Sequence, residues 1–130
     1  MAFSTITSSK ENVCQEEGTG TFNYTAYGTI VAGQAVEVSV DSEGVVAADS
    51  DPATGFVGVA EYDQTSGSKL AVWGPGNKVW SRASGTVTTG DRVQACDGGY
   101  FRTQPSGNSV MHGVALSDAS DDGVVEIMLY

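Results

Sequence analysis

The sequence predicts a mainly β fold: a small β-barrel or β-sandwich built from two related halves, with an extended N-terminal arm. Three observations predict it. Apolar and polar residues alternate over short runs, the period of a half-buried strand. The chain has 17 glycines but only 3 prolines, a balance suited to tight turns between strands. And the chain repeats itself. Gly28-Thr-Ile-Val-Ala-Gly-Gln-Ala-Val36 resembles Gly85-Thr-Val-Thr-Thr-Gly-Asp-Arg-Val93. Gly58-Val59-Ala60 matches Gly113-Val114-Ala115, Asp63 matches Asp118, and Gly67 aligns with Gly123. The pseudo-repeats run from about 28–73 and 85–130. Two copies are too few to stack a solenoid, so the halves should close on each other in a single domain, 21–130.

Residues 1–20 form the arm. Met1, Phe3, Ile6 and Val13 are the only large apolar side chains before Phe22. Burying four such groups gains about 6–12 kcal/mol, whereas fixing some 20 backbones costs about 20–40 kcal/mol. The arm is therefore expected to be mobile unless backbone hydrogen bonds to the body or a partner compensate. From Thr21 a strand is expected, with Phe22, Tyr24 and Ala26 alternating against Asn23 and Thr25. Gly28–Gly33 reads as a short β segment ending in a turn. Val36, Val38 and Val40 alternate with Glu37 and Ser39, which places the valines inward. Phe56–Ala60 and Leu70–Trp73 pair as a hairpin through Asp63–Ser68. In the second half, Asp97-Gly98-Gly99 supplies the positive φ of a tight hairpin turn. Val124–Leu129 is apolar on both sides and is expected to be buried.

Composition excludes several function classes. The formal charge is −10, with only six Lys and Arg, so nucleic acid and anionic membranes are expected to be repelled. The N-terminus lacks a basic region followed by an apolar run, so no secretory signal is read. No apolar stretch approaches the roughly 20 residues of a membrane span, and synthesis in the cytoplasm is expected. Cys14 and Cys96 read as reduced thiols, too few for a disulfide framework or zinc site. The single His112 rules out histidine-cluster metal sites and is the only base available to a nucleophile; no nucleophile elbow or P-loop occurs. Asp118-Ala-Ser-Asp121-Asp122-Gly123 opens like a calcium loop, but the closing Glu position holds Leu129. Carboxylate pairs such as Asp49/Asp51 and Glu16/Glu17 lie in loops without an apolar setting to tune them. No enzyme, cofactor or metal is expected. Trp73 and Trp80 flank a Gly-Pro-Gly link and are candidates either for core packing or for a protein–protein contact.

The segment Val57–Trp73, with Asp63-Gln64-Thr65-Ser66 at its turn, resembles the central hairpin of the lambda-type phage head decoration proteins. The repeated G-T-[IV]-x-x-G-x-x-V with G-V-A is similar to a wider group of tailed-phage capsid cement proteins. The resemblance implies a homotrimer at three-fold and quasi-three-fold positions on the outer face of the expanded capsid. Its partner would be the major capsid protein, and its arm would lie against the shell. On this reading Phe3 and Ile6 are the apolar capsid-contact candidates, with Lys10 nearby. Three other readings compete. A surface module binding glycan or receptor would use Tyr24, Tyr27, Trp73 or Trp80. A β-clip domain attached to an enzyme would need a polar groove. A lipoyl-type carrier would need a hairpin-tip lysine, for which Lys69 is the only candidate.

Overall fold

The computed structural model describes residues 3–6, 14–16 (backbone only), 21–41 and 43–130. Among these, the strands are β1 (Cys14–Glu16), β2 (Thr21–Thr25), β3 (Ala35–Val38), β4 (Val45–Ala47), β5 (Phe56–Ala60), β6 (Lys69–Trp73), β7 (Lys78–Arg82), β8 (Arg92–Cys96), β9 (Tyr100–Thr103), β10 (Gly113–Ala115) and β11 (Val124–Leu129). Every strand pair is antiparallel. One sheet has the order β2-β6-β5-β3-β4 and the other β1-β7-β11-β10-β8-β9. Leaving β1 aside, the second order is the first with every strand number raised by five. The repeat read from glycines and valines is thus a repeat of topology.

After its first strand, each half crosses the open end of its own sheet. Ala26 bridges Val45 and Ile30 bridges Gln64; in the second half Ala83 bridges Phe101 and Val87 bridges Ala119. Each sheet curls until its ends meet at one bridge, but neither closes into a barrel. The sandwich-like form is the one found. The segment expected to be a β strand at Gly28–Gly33 is this crossing, with only Ile30 in a bridge.

Each curled sheet wraps its own apolar filling. In the first half it is Ala26, Ile30, Val36, Val45, Ala60, Leu70 and Val72. The matching residues of the second half, Ala83, Val87, Val93, Phe101, Ala115, Val125 and Ile127, belong to a larger cluster. That cluster continues across the seam between halves through Ala35, Ala48, Ala53, Val59 and Trp73. Polar contacts stitch the same seam. Ser81 Oγ donates to the Gly33 carbonyl at 2.6 Å, and Gln34 Nε2 to Gly98 O at 2.9 Å. The Ala53 N–H donates to Ala95 O, and the N–H groups of Gly98 and Gly99 to Ala48 O.

The matched glycines have a steric cause. A Cβ on Gly58 would collide with the Trp73 carbonyl, and one on Gly113 with the Met128 carbonyl. The two carbonyls occupy equivalent places on β6 and β11, so neither half tolerates a side chain there. The turn glycine is different. Gly67, with φ 91°, donates its N–H to Ala26 O; the residue that does this for Ala83 O is Asp122, with φ 63°. Gly67 therefore corresponds to Asp122, one residue before the glycine that sequence alignment selects.

Three other expectations change. Val36 is inside, but Val38 is 50% and Val40 95% exposed: the pairing of β3 with β5 shifts register between Val36 and Glu37, and Val40 lies beyond the end of the strand. Glu37, expected to face water, is buried. On β11, Val125, Ile127 and Leu129 are buried while Val124 is exposed and Glu126 and Met128 are half-buried, since only one face of the strand meets the core. The Asp97–Gly99 connection is a 3-10 turn with Gly98 at φ 85°, as its glycines predict.

Gly113→Ala is expected to lower stability by about 1–3 kcal/mol through overpacking, read as a lower urea midpoint at unchanged slope. Gly90→Ala meets no atom within 4 Å and should cost only the left-handed backbone strain, about 1 kcal/mol.

Candidate interaction surface

The Asp63-Gln64-Thr65-Ser66 turn is a set of clasps. The Asp63 Oδ1 accepts the Ala32 N–H at 2.8 Å and the Thr5 hydroxyl at 2.7 Å. Gln64 exchanges backbone hydrogen bonds with Ile30 in both directions, and its Nε2 donates to Lys69 O at 2.7 Å. Ser66 Oγ accepts the Gly28 N–H at 3.1 Å. The turn therefore pins the crossing segment at three successive points and reaches the arm at a fourth.

The arm sits on this clasp. The Ile6 N–H donates to Ala32 O at 3.0 Å, and the Ile6 side chain lies so close to Gly33 that no Cβ fits there. Phe3 packs edge-on against Tyr100, ring centroids 5.1 Å apart. The Ser4 carbonyl accepts from Arg82 Nε at 2.9 Å. Residues 3–6 thus make backbone hydrogen bonds to the body of the kind the entropy argument calls for. Phe3 and Ile6 are both buried against the protein's own body. Lys10 lies outside the described residues.

The second half repeats the clasp without an arm. Asp118 Oδ1 accepts the Thr89 N–H and the Thr89 hydroxyl, so Thr89 supplies in its own half the hydroxyl that Thr5 supplies to Asp63. Those bonds hold the Asp118 carboxyl below the usual range. Asp121 Oδ1 accepts the Gly85 N–H at 2.7 Å, in the place of Ser66. Of the carboxylates that suggested the start of a calcium loop, Asp118 and Asp121 are engaged with the backbone of the crossing segment, and Asp122 Oδ1 accepts the Tyr100 hydroxyl at 3.2 Å. Open clefts lie beside both crossings: one at Thr86–Thr88 and Asp118–Ser120, the other at Thr29–Val31 and Asp63–Thr65.

Trp73 is buried in the seam, and its Nε1 has no hydrogen-bond partner among the described residues. Trp80 is half-buried against the core. Cys96 is a free, buried thiol whose pKa burial pushes up to about 11. Sequence reasoning missed Glu37. Burial alone would raise its pKa, but its Oε1 accepts the N–H groups of Asp49 and Ser50 and the Ser50 hydroxyl, and Asp49 also bonds to it. The net direction is down, and the neighbouring Asp49 is pushed up by its hydrogen bond to Glu37. The signal available was the Asp49-Ser50 turn, which has donors to offer a carboxylate, but nothing local in the sequence pairs that turn with Glu37.

His112 stacks on Phe56, centroids 4.4 Å apart, and its Nδ1 accepts the Ala95 N–H at 2.9 Å. Burial lowers its pKa, partly opposed by the Glu37 charge. An accepting Nδ1 requires the neutral ring.

The model of a phage cement protein family matches residues 14–129. The chain belongs to the phage cement protein family. No curated protein sequence matches it. Among solved structures, the cement protein resembles the N base of the head fiber protein gp8.5 of bacteriophage phi29. The TM-score is 0.63 at 16% identity, over 85% of this chain and 92% of that one. At that identity the likeness is one of fold. The family match takes in both halves, both clasps and β1.

Two outcomes test the clasp and the histidine. Gly33→Ala should unseat Ile6 and speed proteolysis within residues 1–13, whereas Gly90→Ala should leave that cleavage unchanged. As pH falls from 7.5 to 5.5, the unfolded chain takes up the His112 proton, near 6.5, before the folded one does. Stability that is full above that pH is therefore lost as pH drops. Urea midpoints should fall over this window in the wild type and stay flat in His112→Asn. Glu37 adds a second loss below about 4.5.

Proposed function

We propose that this cement protein binds the outer surface of the expanded phage capsid and stabilises it against the pressure of packaged DNA, as a structural virion protein without catalysis. The observation that carries the reading is the family match over both halves. Three features support the finer statement. A body of two curled sheets, each with its own apolar filling and joined by a packed seam, offers a stiff clamp, and clamping a shell needs only binding energy repeated over many sites. A surface of net charge −10 is suited to a position away from DNA and toward water. The arm, seated by a few polar contacts and two apolar side chains, is a segment that can trade body contacts for capsid contacts. The major capsid protein is the proposed partner, with Phe3, Ile6 and Lys10 as contact candidates. A homotrimer at three-fold and quasi-three-fold positions is the proposed assembly, with Trp80 as an interface candidate. Burial of Trp73 takes an exposed aromatic away from the glycan-binding reading.

Co-sedimentation of the purified protein with expanded, undecorated heads and with unexpanded proheads tests the proposal. Saturable binding to expanded heads alone, with raised heat resistance, is expected. A folded protein that binds neither would overturn it. Removal of residues 1–13 should abolish occupancy; equal occupancy would remove the arm from the interface.

A further inference from the structure

The seam between the halves joins two unlike faces. The first half contributes a row on the outer side of its sheet, Ala35 opposite Val59 and Val59 opposite Trp73, all three buried. The second half contributes the mouth of its curled sheet. There Val79, Ser81 and Ala95 stand opposite Ile127, Val125 and Phe101, on the side of the filling, and all three are buried. Ser81 Oγ donates to Gly33 O, and the Ala53 N–H to Ala95 O, across this contact. Because the halves repeat, each face exists twice, and the seam uses one of each. The second half has its own row, Arg92–Val114–Met128, paired in the same register. Arg92 is exposed there, and Val114 and Met128 are half-buried. The first half has its own mouth, Phe22, Tyr24 and Val38, opposite Val72, Leu70 and Val45. Phe22 is 67% and Val38 50% exposed, and Tyr24 is half-buried.

We propose that the chain associates head to tail with a second copy. The first-half mouth of one copy seats on the Arg92–Val114–Met128 row of the next, as the second-half mouth seats on Ala35–Val59–Trp73 within one chain. The contact joins faces and needs no free strand edge. The Ala26–Val45 bridge does not obstruct it, because the equivalent Ala83–Phe101 bridge closes the second half at the same place, and that half docks in the seam. Charge selects the same partner. The place of Ala35 in the row is taken by Arg92. Beside Ala35 in the seam lies the Asp97–Gly99 loop: the Ala48 N–H donates to Ala35 O, and the Gly98 N–H to Ala48 O. The loop in the corresponding place of the first half carries Asp41 and Glu43, both exposed. The copied contact therefore brings a cation beside two carboxylates, where two chains of net charge −10 otherwise repel. A contact between unlike faces has no two-fold axis; it closes as a ring or runs on as a filament. A ring of three copies is the homotrimer proposed above, and the number of copies alone rests on that reading.

Sedimentation velocity of the full chain over a wide concentration range reads the association. Val38→Lys sets a cation against Arg92, and Arg92→Glu sets an anion against Asp41 and Glu43. Both positions are exposed, so each variant should keep the fold, checked by circular dichroism, while weakening self-association at least about ten-fold. The two variants mixed in equal amounts should form dimers and nothing larger, because one intact mouth then remains for one intact row. A wild type that stays monomeric throughout would overturn the proposal, as would a mixture that forms no dimer. Trimers that persist in both variants would overturn it too, while leaving the homotrimer and the capsid reading in place.

Discussion

Each half must carry a peptide segment across the open end of its own sheet, and a few polar contacts with one turn hold it there. The turn is Asp63–Gly67 in the first half and Asp118–Asp122 in the second. Without it, Ile30 and Val87 would not be drawn over the apolar filling, and that filling would face water. The clasp also fixes Ala32 and Gly33, which seat the arm, and Gln34, which reaches into the seam. Burial inside the halves, the union of the halves and the position of the arm therefore share one set of hydrogen bonds. Because those bonds are made largely to backbone N–H groups, the crossing segment can vary in side chain. This explains why the two copies keep glycines and a carboxylate in common while Ala32 stands where the other half has Thr89.

The copies have diverged where the surroundings differ. Gly33 is covered by Ile6; a Cβ on Gly90, its counterpart, would meet no atom within 4 Å. Thr5 serves Asp63 from the arm, while Thr89 serves Asp118 from its own half. Edge β7 pairs with β1, whereas β2, among the described residues, has no such added strand. A single arm cannot fill two equivalent places, so an internal duplication with a single arm leaves unmatched surfaces. Those surfaces are the natural ones for contacts with other molecules.

Much of the fold could be read in the sequence because its signals are local. Alternating valines marked strands, Gly58 and Gly113 marked equivalent close approaches, and Asp97-Gly98-Gly99 marked a turn. Asp63-Gln64-Thr65-Ser66 carried the family likeness, and Asp63, Gln64 and Ser66 each hold the crossing segment. The misreadings arose where distant chain segments decide. Glu37 looks solvent-facing by period, yet the Asp49-Ser50 turn folds over it. Val40 looks inward by period, yet the sheet has ended. The seat of Phe3 and Ile6 depends on Ala32, Gly33, Asp63 and Tyr100, which no local pattern connects to the arm.

The arm touches both halves: residues 3–6 meet Ala32 and Asp63 on one side and Arg82 and Tyr100 on the other, and β1 then runs along β7. A tether laid in this way determines how the protein bears load. A pull directed along β1 would load the β1–β7 ladder in shear, its bonds sharing the force instead of unzipping in succession. A pull on residues 3–6 would instead be borne by the contacts of Ile6 with Gly33 and of Thr5 with Asp63. The seat and the ladder are thus two separate holds on one tether, and release of one leaves the other in place.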